Sequence, residues 1–254
     1  GLRNGSLALV SVAAALAIAT IGLRSASTPP VSPEIASAPG QLRTFDLPDG
    51  TRVTLDTDSS IRTAFNTDER RVVLQRGRAR FSVAPGGRRF VVAAGNLLVF
   101  DRGTVFDVSA GSDKVEIMLI EGVVEVRGGA PGALSHPVTL APGEQVTVGA
   151  VGAVPAKVVP ASPGAASWTS GMLSFESAPL REVIAEANRY SRTKLILADH
   201  RLATRRVTGS FRAARPQALA DSLGAMFGLR IETQTDGTIL LLPPAQESRS
   251  REGG

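Results

Sequence analysis

The sequence predicts a mainly β chain that continues into a small α+β unit, with a single apolar segment in front of both. Three observations carry this expectation. Apolar and polar residues alternate with period two between about residues 41 and 155. Helical spacing appears between about 168 and 242. Residues 5–23 hold no charged side chain.

Composition narrows the function classes. A chain of 254 residues can build one or two domains with real cores. An apolar content of 43% speaks for a packed fold rather than disorder. Cysteine is absent, which removes a disulfide framework, thiolate chemistry and cysteine metal sites. A net charge of +5 would permit a nucleic-acid partner. The basic residues, almost all Arg, are scattered among 23 acids, and one Tyr and one Trp make no stacking platform. Nucleic acid is therefore not expected as a partner.

The segment 5–23, GSLALVSVAAALAIATIGL, lies between Arg3 and Arg24. At about 1.5 Å of rise per residue it spans most of a ~30 Å hydrocarbon core, so residues 1–24 read as a transmembrane helix. The other readings are a signal peptide with Ser25-Ala26-Ser27 as its cleavage site, or a buried core helix, against which the lack of a polar face argues. One Arg on each side does not fix orientation. Residues 25–40, with Pro29, Pro30, Pro33 and Pro39, read as an extended linker.

In residues 41–155 the alternation is clearest where Val53 and Leu55 interleave with Arg52 and Thr54, and where Ala79, Phe81 and Val83 interleave with Arg78, Arg80 and Ser82. Turn signals fall between such runs: Pro48-Asp49-Gly50, Arg76-Gly77, Pro85-Gly86-Gly87, Glu121-Gly122 and Pro142-Gly143. Short strands at ~10-residue spacing imply an all-β sandwich, roll or short solenoid. A Pro/Gly/Ala-rich stretch, 156–167, reads as a second linker and predicts that the flanking units are separable domains.

In residues 168–242 a short strand at 172–175 is followed by Leu180, Val183, Ile184, Ala187 and Tyr190 at helical spacing, with Ser177 as N-cap candidate. Strands are expected at 195–198 and around Val207, Gly209 and Phe211. Pro216 opens a second helix that Gly228 stops, and Asp236-Gly237 signals a two-residue hairpin. The predicted order is β-α-β-β-α-β-β, with 243–254 as a disordered tail. Counting outward from that hairpin pairs Thr233 with Leu240 and Ile231 with Leu242. Leu240 and Leu242 then face the core, and Ile239 and Leu241 face outward as a candidate partner-binding surface. Trp168, just after the linker, is a further candidate partner-binding residue or a staple between the units.

Several of these strings resemble the FecR family of iron-siderophore sensor regulators. Leu47-Pro48-Asp49-Gly50-Thr51-Arg52-Val53-Thr54-Leu55 is similar to the family's opening motif. The run from Val73 to Val83, the string Gly103-Thr104-Val105-Phe106-Asp107-Val108, Ile120-Glu121-Gly122-Val123-Val124-Glu125-Val126 and Leu140-Ala141-Pro142-Gly143-Glu144-Gln145-Val146 follow in family order. Ser82 stands where the family often has Glu. The string Trp168…Gly171-x-Leu173-x-Phe175…Pro179-Leu180…Asn188-Arg189-Tyr190-Ser191 resembles the junction into the family's C-terminal domain of the secretin-and-TonB N-terminal (STN) type. The resemblance implies a non-enzymatic, single-pass inner-membrane anti-sigma factor with its C-terminal region in the periplasm. That region would receive a signal from the N-terminal signalling domain of a TonB-dependent outer-membrane transducer. The signal would pass to an ECF-type sigma factor, through a cytoplasmic domain expected before Gly1. It implies no cofactor. A periplasmic cell-envelope binding module, for a glycan or a secretion assembly, is the alternative.

Enzymatic readings find no support in the residues. His136 and His200 sit in polar stretches, Glu121 and Glu125 flank a strand with one of them in a turn and both expected in solvent, and Gly149 to Gly152 lack the helix and Lys of a phosphate loop. Arg78, Arg80, Arg88 and Arg89 form a local basic cluster, read as a solvated strand face or a contact for anionic lipid or polysaccharide. Tyr190 is expected in the core with its hydroxyl at the rim.

Overall fold

A computed structural model of the chain describes residues 33–101, 103–129, 134–149 and 157–244. The expected transmembrane segment, the linker as far as residue 32 and the tail from 245 lie outside the described residues. Among the described residues no helix is long and apolar enough to cross a membrane.

The chain first lays down thirteen strands: β1 (Ile35–Ala36), β2 (Arg43–Asp46), β3 (Arg52–Leu55), β4 (Ser60–Phe65), β5 (Glu69–Ser82), β6 (Arg89–Ala94), β7 (Leu97–Asp101), β8 (Val105–Ala110), β9 (Lys114–Glu121), β10 (Val124–Gly128), β11 (Val138–Leu140), β12 (Glu144–Gly149) and β13 (Lys157–Pro160). Strand β5 organises them. Its first half lies antiparallel to β4 and parallel to β6, and its second half lies antiparallel to β3 and β8. The handover falls at Gly77, whose φ is +83° and where a Cβ would stand 2.1 Å from Ser59 Oγ, so only glycine fits. The other strands extend the two halves as β11-β10-β7-β6 on one side and β8-β9-β12-β13 on the other. Side chains from both halves meet in one core, where Phe81 stands 5.9 Å from the Phe90 ring and 5.4 Å from the Phe106 ring. The alternating apolar positions thus become one dry interior.

Both expected linkers are partly structured. Strand β1 pairs with β4 and Ser37 is buried, so the end of the Pro-rich stretch is part of the sheet. Strand β13, inside 156–167, pairs with β12. Each segment finds a sheet edge with free backbone groups, and pairing satisfies them despite the Pro content.

The second region follows a 3₁₀ turn at Ser167–Ser170. It comprises β14 (Met172–Pro179), α1 (Leu180–Arg189), β15 (Leu195–Leu197), β16 (Arg206–Arg212), α2 (Pro216–Phe227), β17 (Arg230–Thr233) and β18 (Ile239–Leu242). Strands β14 and β16 pair, and β15, β18 and β17 form a three-stranded sheet in which β15 is parallel to β18. Leu180, Val183, Ile184, Ala187, Leu219, Leu223, Ile239 and Leu241 share its core.

Two local expectations are corrected. Ser177 is not a helix cap: it has φ +48° in an irregular part of β14, which runs on to Pro179. The first helical N–H groups bond instead to carbonyls of the loop before β16, Leu180 to Arg205 at 2.8 Å and Arg181 to Ala203 at 3.1 Å. The hairpin register is also one residue off. Gln234 N donates to Thr238 O, and Gly237, at φ +85°, donates to Gln234 O, which closes a three-residue loop instead of two. Ile231 therefore opposes Leu241, and Thr233 opposes Ile239. A slip of one residue exchanges the faces. Ile239 and Leu241 are 2% and 0% exposed in the core, while Leu240 and Leu242 lie half-buried on the outer face beside the exposed Ile196.

Candidate functional site

The outward side chains of β5 build the most heavily connected polar site. Ala79 and Phe81 point into the core, so period two turns Arg78 and Arg80 to the opposite face. There they meet the start of the second region. The indole of Trp168 lies under both, 4.8 Å from the Arg78 guanidinium and 5.5 Å from that of Arg80. Its Nε1–H donates to Asp107 Oδ2 at 2.8 Å. Asp107, from β8, also takes two bonds from Arg80, at 2.6 and 2.8 Å, a fork that fixes its orientation. Arg80 reaches further, to Ala166 O at 3.1 Å.

Beside this lies a second cluster centred on Asp56, which directly follows β3 and is fully buried. Its Oδ2 accepts from Arg78 Nε and Nη2 at 2.9 and 2.7 Å, and from the Tyr190 hydroxyl at 2.8 Å. Arg189 Nη2 stands 3.4 Å away. Oδ1 of the same carboxylate is buried without a hydrogen-bond partner. Glu186, one turn before Tyr190, accepts from Arg78 at 3.0 Å and from Arg189 at 3.0 and 3.1 Å. Asp56 and Glu186 thus balance Arg78 and Arg189, and the neighbouring Asp107 balances Arg80.

The ionisation equilibria follow from this packing. Burial opposes the charge on Arg78, but Asp56 and Glu186 outweigh it and hold the guanidinium firmly charged. Burial raises the Tyr190 phenol above its ordinary range, and Asp56 and Glu186 add to the shift against the opposing pull of Arg78. Burial would raise the Glu186 carboxyl, yet Arg78 and Arg189 bring it below the ordinary value. Arg78 is held charged and Glu186 is held as a carboxylate, so this pair ties two elements together and is not a poised acid or base.

The structure redistributes the candidate residues. Trp168 is 2% exposed and acts as a staple between the two regions, so its indole is closed to an outside partner. Ile239 and Leu241 are core residues and form no docking surface. Arg78 and Arg80 are not a solvated face, because the second region roofs them. Tyr190 is buried as expected, but its hydroxyl ends on Asp56 rather than at the rim. His136 and His200 are exposed. No group of three or more His, Asp or Glu among the described residues could hold a metal ion. Asp56 and Glu186 are not singled out by the sequence, and Arg189 enters only as part of the junction string. The signal available for them was a pair of outward Arg residues on the longest alternating run, in a chain whose one Trp and one Tyr flank the start of the next region.

The family-like motifs have structural work. Asp49, in Leu47-Pro48-Asp49-Gly50-Thr51, accepts from Thr51 N at 3.1 Å and from the buried Arg70 at 2.8 Å. In Gly103-Thr104, the Thr104 hydroxyl donates to Asp101, and a Cβ on Gly122 would lie 2.4 Å from Thr104 Cγ2. These residues fix turns.

Comparison with known proteins bears on this arrangement. The family model described as FecR protein matches residues 34–125. Two crystal structures of a candidate anti-sigma factor from Parabacteroides distasonis ATCC 8503 share the fold, each with a TM-score of 0.71 at 24% identity. Each likeness covers 84% of this chain, and 99% and 100% of the two solved chains. Among curated proteins no relative matches.

Proposed function

We propose that the chain, whose residues 34–125 match the FecR protein model, is the sensor region of a membrane-anchored anti-sigma regulator. The family match across β1 to the start of β10 carries this reading, and the fold shared with the Parabacteroides protein supports it. Residues 5–23 would cross the inner membrane and place residues 41–242 in the periplasm. Residues 168–242 would serve as an STN-like domain, a role their β-α-β-β-α-β-β order supports. That domain would receive the N-terminal signalling domain of a TonB-dependent transducer, and the message would reach an ECF-type sigma factor across the membrane.

The mechanism is binding and relay rather than chemistry. The ionic cluster suits this role because it fixes the geometry between the region that would receive the signal and the strands that lead back toward the membrane. Deleting the gene in its source cells should change transcription from promoters served by one ECF-type sigma factor, and restoring the full chain should reverse the change. Unaltered transcription from every such promoter would sink the reading. Retention of one of the cell's transducer signalling domains by the purified chain would test the periplasmic half separately.

A further inference from the structure

The loop Asp56–Ser59 is gripped from two sides. On one side is the stem, residues 33–40, which follows the apolar segment. Ser37 N donates to Ser59 O at 2.9 Å; its hydroxyl donates to Asp56 O and accepts from Ser59 N at 3.0 Å. Gly40 N donates to Thr57 Oγ1 at 2.7 Å. On the other side is the end of α1. The Thr57 hydroxyl donates to Arg189 O at 2.8 Å, and the Tyr190 hydroxyl donates to Asp56. Stem and helix also touch directly. Gly40 has φ +79°, and a Cβ there would stand 2.8 Å from Tyr190 O.

We propose that this loop is a mechanical joint through which displacement of the second region loosens the stem. Asp56, Thr57 and Ser59 are each 0% exposed, and besides bonds to Arg78 of β5 their polar atoms take partners from the stem and from α1. Asp56 Oδ1 already lacks one. Withdrawing the end of α1 leaves Asp56 Oδ2 short of Tyr190 and frees the Thr57 hydroxyl. A buried loop that loses such partners must rearrange to recover them. Among the described residues the backbone N–H and the hydroxyl of Ser37 bond to this loop, so the stem's hold changes with it. The seam is polar, and its charged groups regain hydration when parted. Relative motion is the ordinary behaviour of such an interface, in contrast to a large apolar one. The coupling rests on these contacts alone and stands or falls apart from the regulatory reading.

Hydrogen-exchange mass spectrometry on the full 254-residue chain tests it. Tyr190→Phe keeps the ring and deletes the bond to Asp56. Peptides covering 35–41 and 56–60 should exchange ~10-fold faster, with those covering β6 and β7 unchanged. Coupling is reciprocal, so Ser37→Ala should accelerate 186–191 by a comparable factor. Wild-type protection of 35–41 in Tyr190→Phe, or of 186–191 in Ser37→Ala, overturns the joint. So does acceleration of all peptides together, which is global loosening. If Tyr190→Phe does not fold, the Ser37→Ala arm decides alone.

Discussion

Strand β5 faces two environments with alternate residues. Phe81 enters a dry core and packs against the Phe90 and Phe106 rings from the two halves of the sheet. Arg78, three positions earlier, enters a seam in which every contact is charged, polar or aromatic. Both side chains are largely removed from water. The core is non-directional and tolerates any filling of the right volume. The seam demands particular atoms at particular places, because each ion's lost hydration must be replaced. The core therefore supplies stability, and the seam supplies geometry between two regions.

Deleting either side chain should have the largest effects in the molecule, for different reasons. Phe81→Ala leaves a cavity and should cost about 3–5 kcal/mol. Arg78→Met should cost a similar ~3–5 kcal/mol, because Asp56 remains buried without its main counter-charge. The two diverge in a second step. Adding Asp56→Asn to Arg78→Met removes the orphaned charge and should recover part of the loss in urea unfolding. If the double variant is no more stable than Arg78→Met alone, the ionic account of the seam is wrong.

The corrected hairpin register gives the next contrast. Leu241→Asp places an unpaired carboxylate in the core of the second region and should unfold it. Leu240→Asp, on the outer face, should cost less than about 1 kcal/mol. Circular dichroism and thermal melting of both variants decide the register, and the reverse ranking would restore the two-residue loop.

What the sequence disclosed and what it hid divide along the same line. Most strands of the first region, the element order of the second and the Asp49 and Gly122 turns rest on neighbours a few residues apart, where period and turn chemistry are read directly; Arg76-Gly77 reads as a turn but lies inside β5. The hairpin missed by one residue because Asp-Gly suits both a two-residue loop and the last two positions of the three-residue loop observed, and only pairing across the sheet chooses. The seam was hidden because an outward Arg on a strand has the same local pattern whether water or another region covers it. The Asp56–Tyr190 bond joins residues 134 positions apart. Trp168 was legible as a staple because a lone Trp beside a Pro-rich stretch needs a partner surface. The surface itself could not be named.

Trp168→Phe separates the two components of that staple. Phe retains an aromatic face for Arg78 and Arg80 but loses the N–H bonded to Asp107. A hydrogen bond to a charged acceptor contributes about 1.5–3 kcal/mol, and a loss in this range is expected in urea unfolding followed by circular dichroism. A loss near zero would mean that the indole acts by stacking alone.

The smallest expected effect is a pH dependence that belongs to the seam and not to the core. Burial opposes the Glu186 charge, but Arg78 and Arg189 more than compensate, so its folded pKa lies below its ordinary 4.5. A group whose pKa is lowered by folding stabilises the fold above its unfolded value. That contribution is lost as pH falls through the folded value, because the unfolded chain takes up the proton first. Wild type should therefore exceed Glu186→Gln in stability near neutrality, by on the order of 1 kcal/mol. The gap should close on acidification below about 4.5, while the gap between wild type and Phe81→Ala, which removes no titrating group, should stay constant over the same range. Urea midpoints for the three proteins across that range test both statements. A Glu186→Gln gap that persists unchanged into acid would mean that the Glu186 charge contributes nothing and that its side chain acts there by shape.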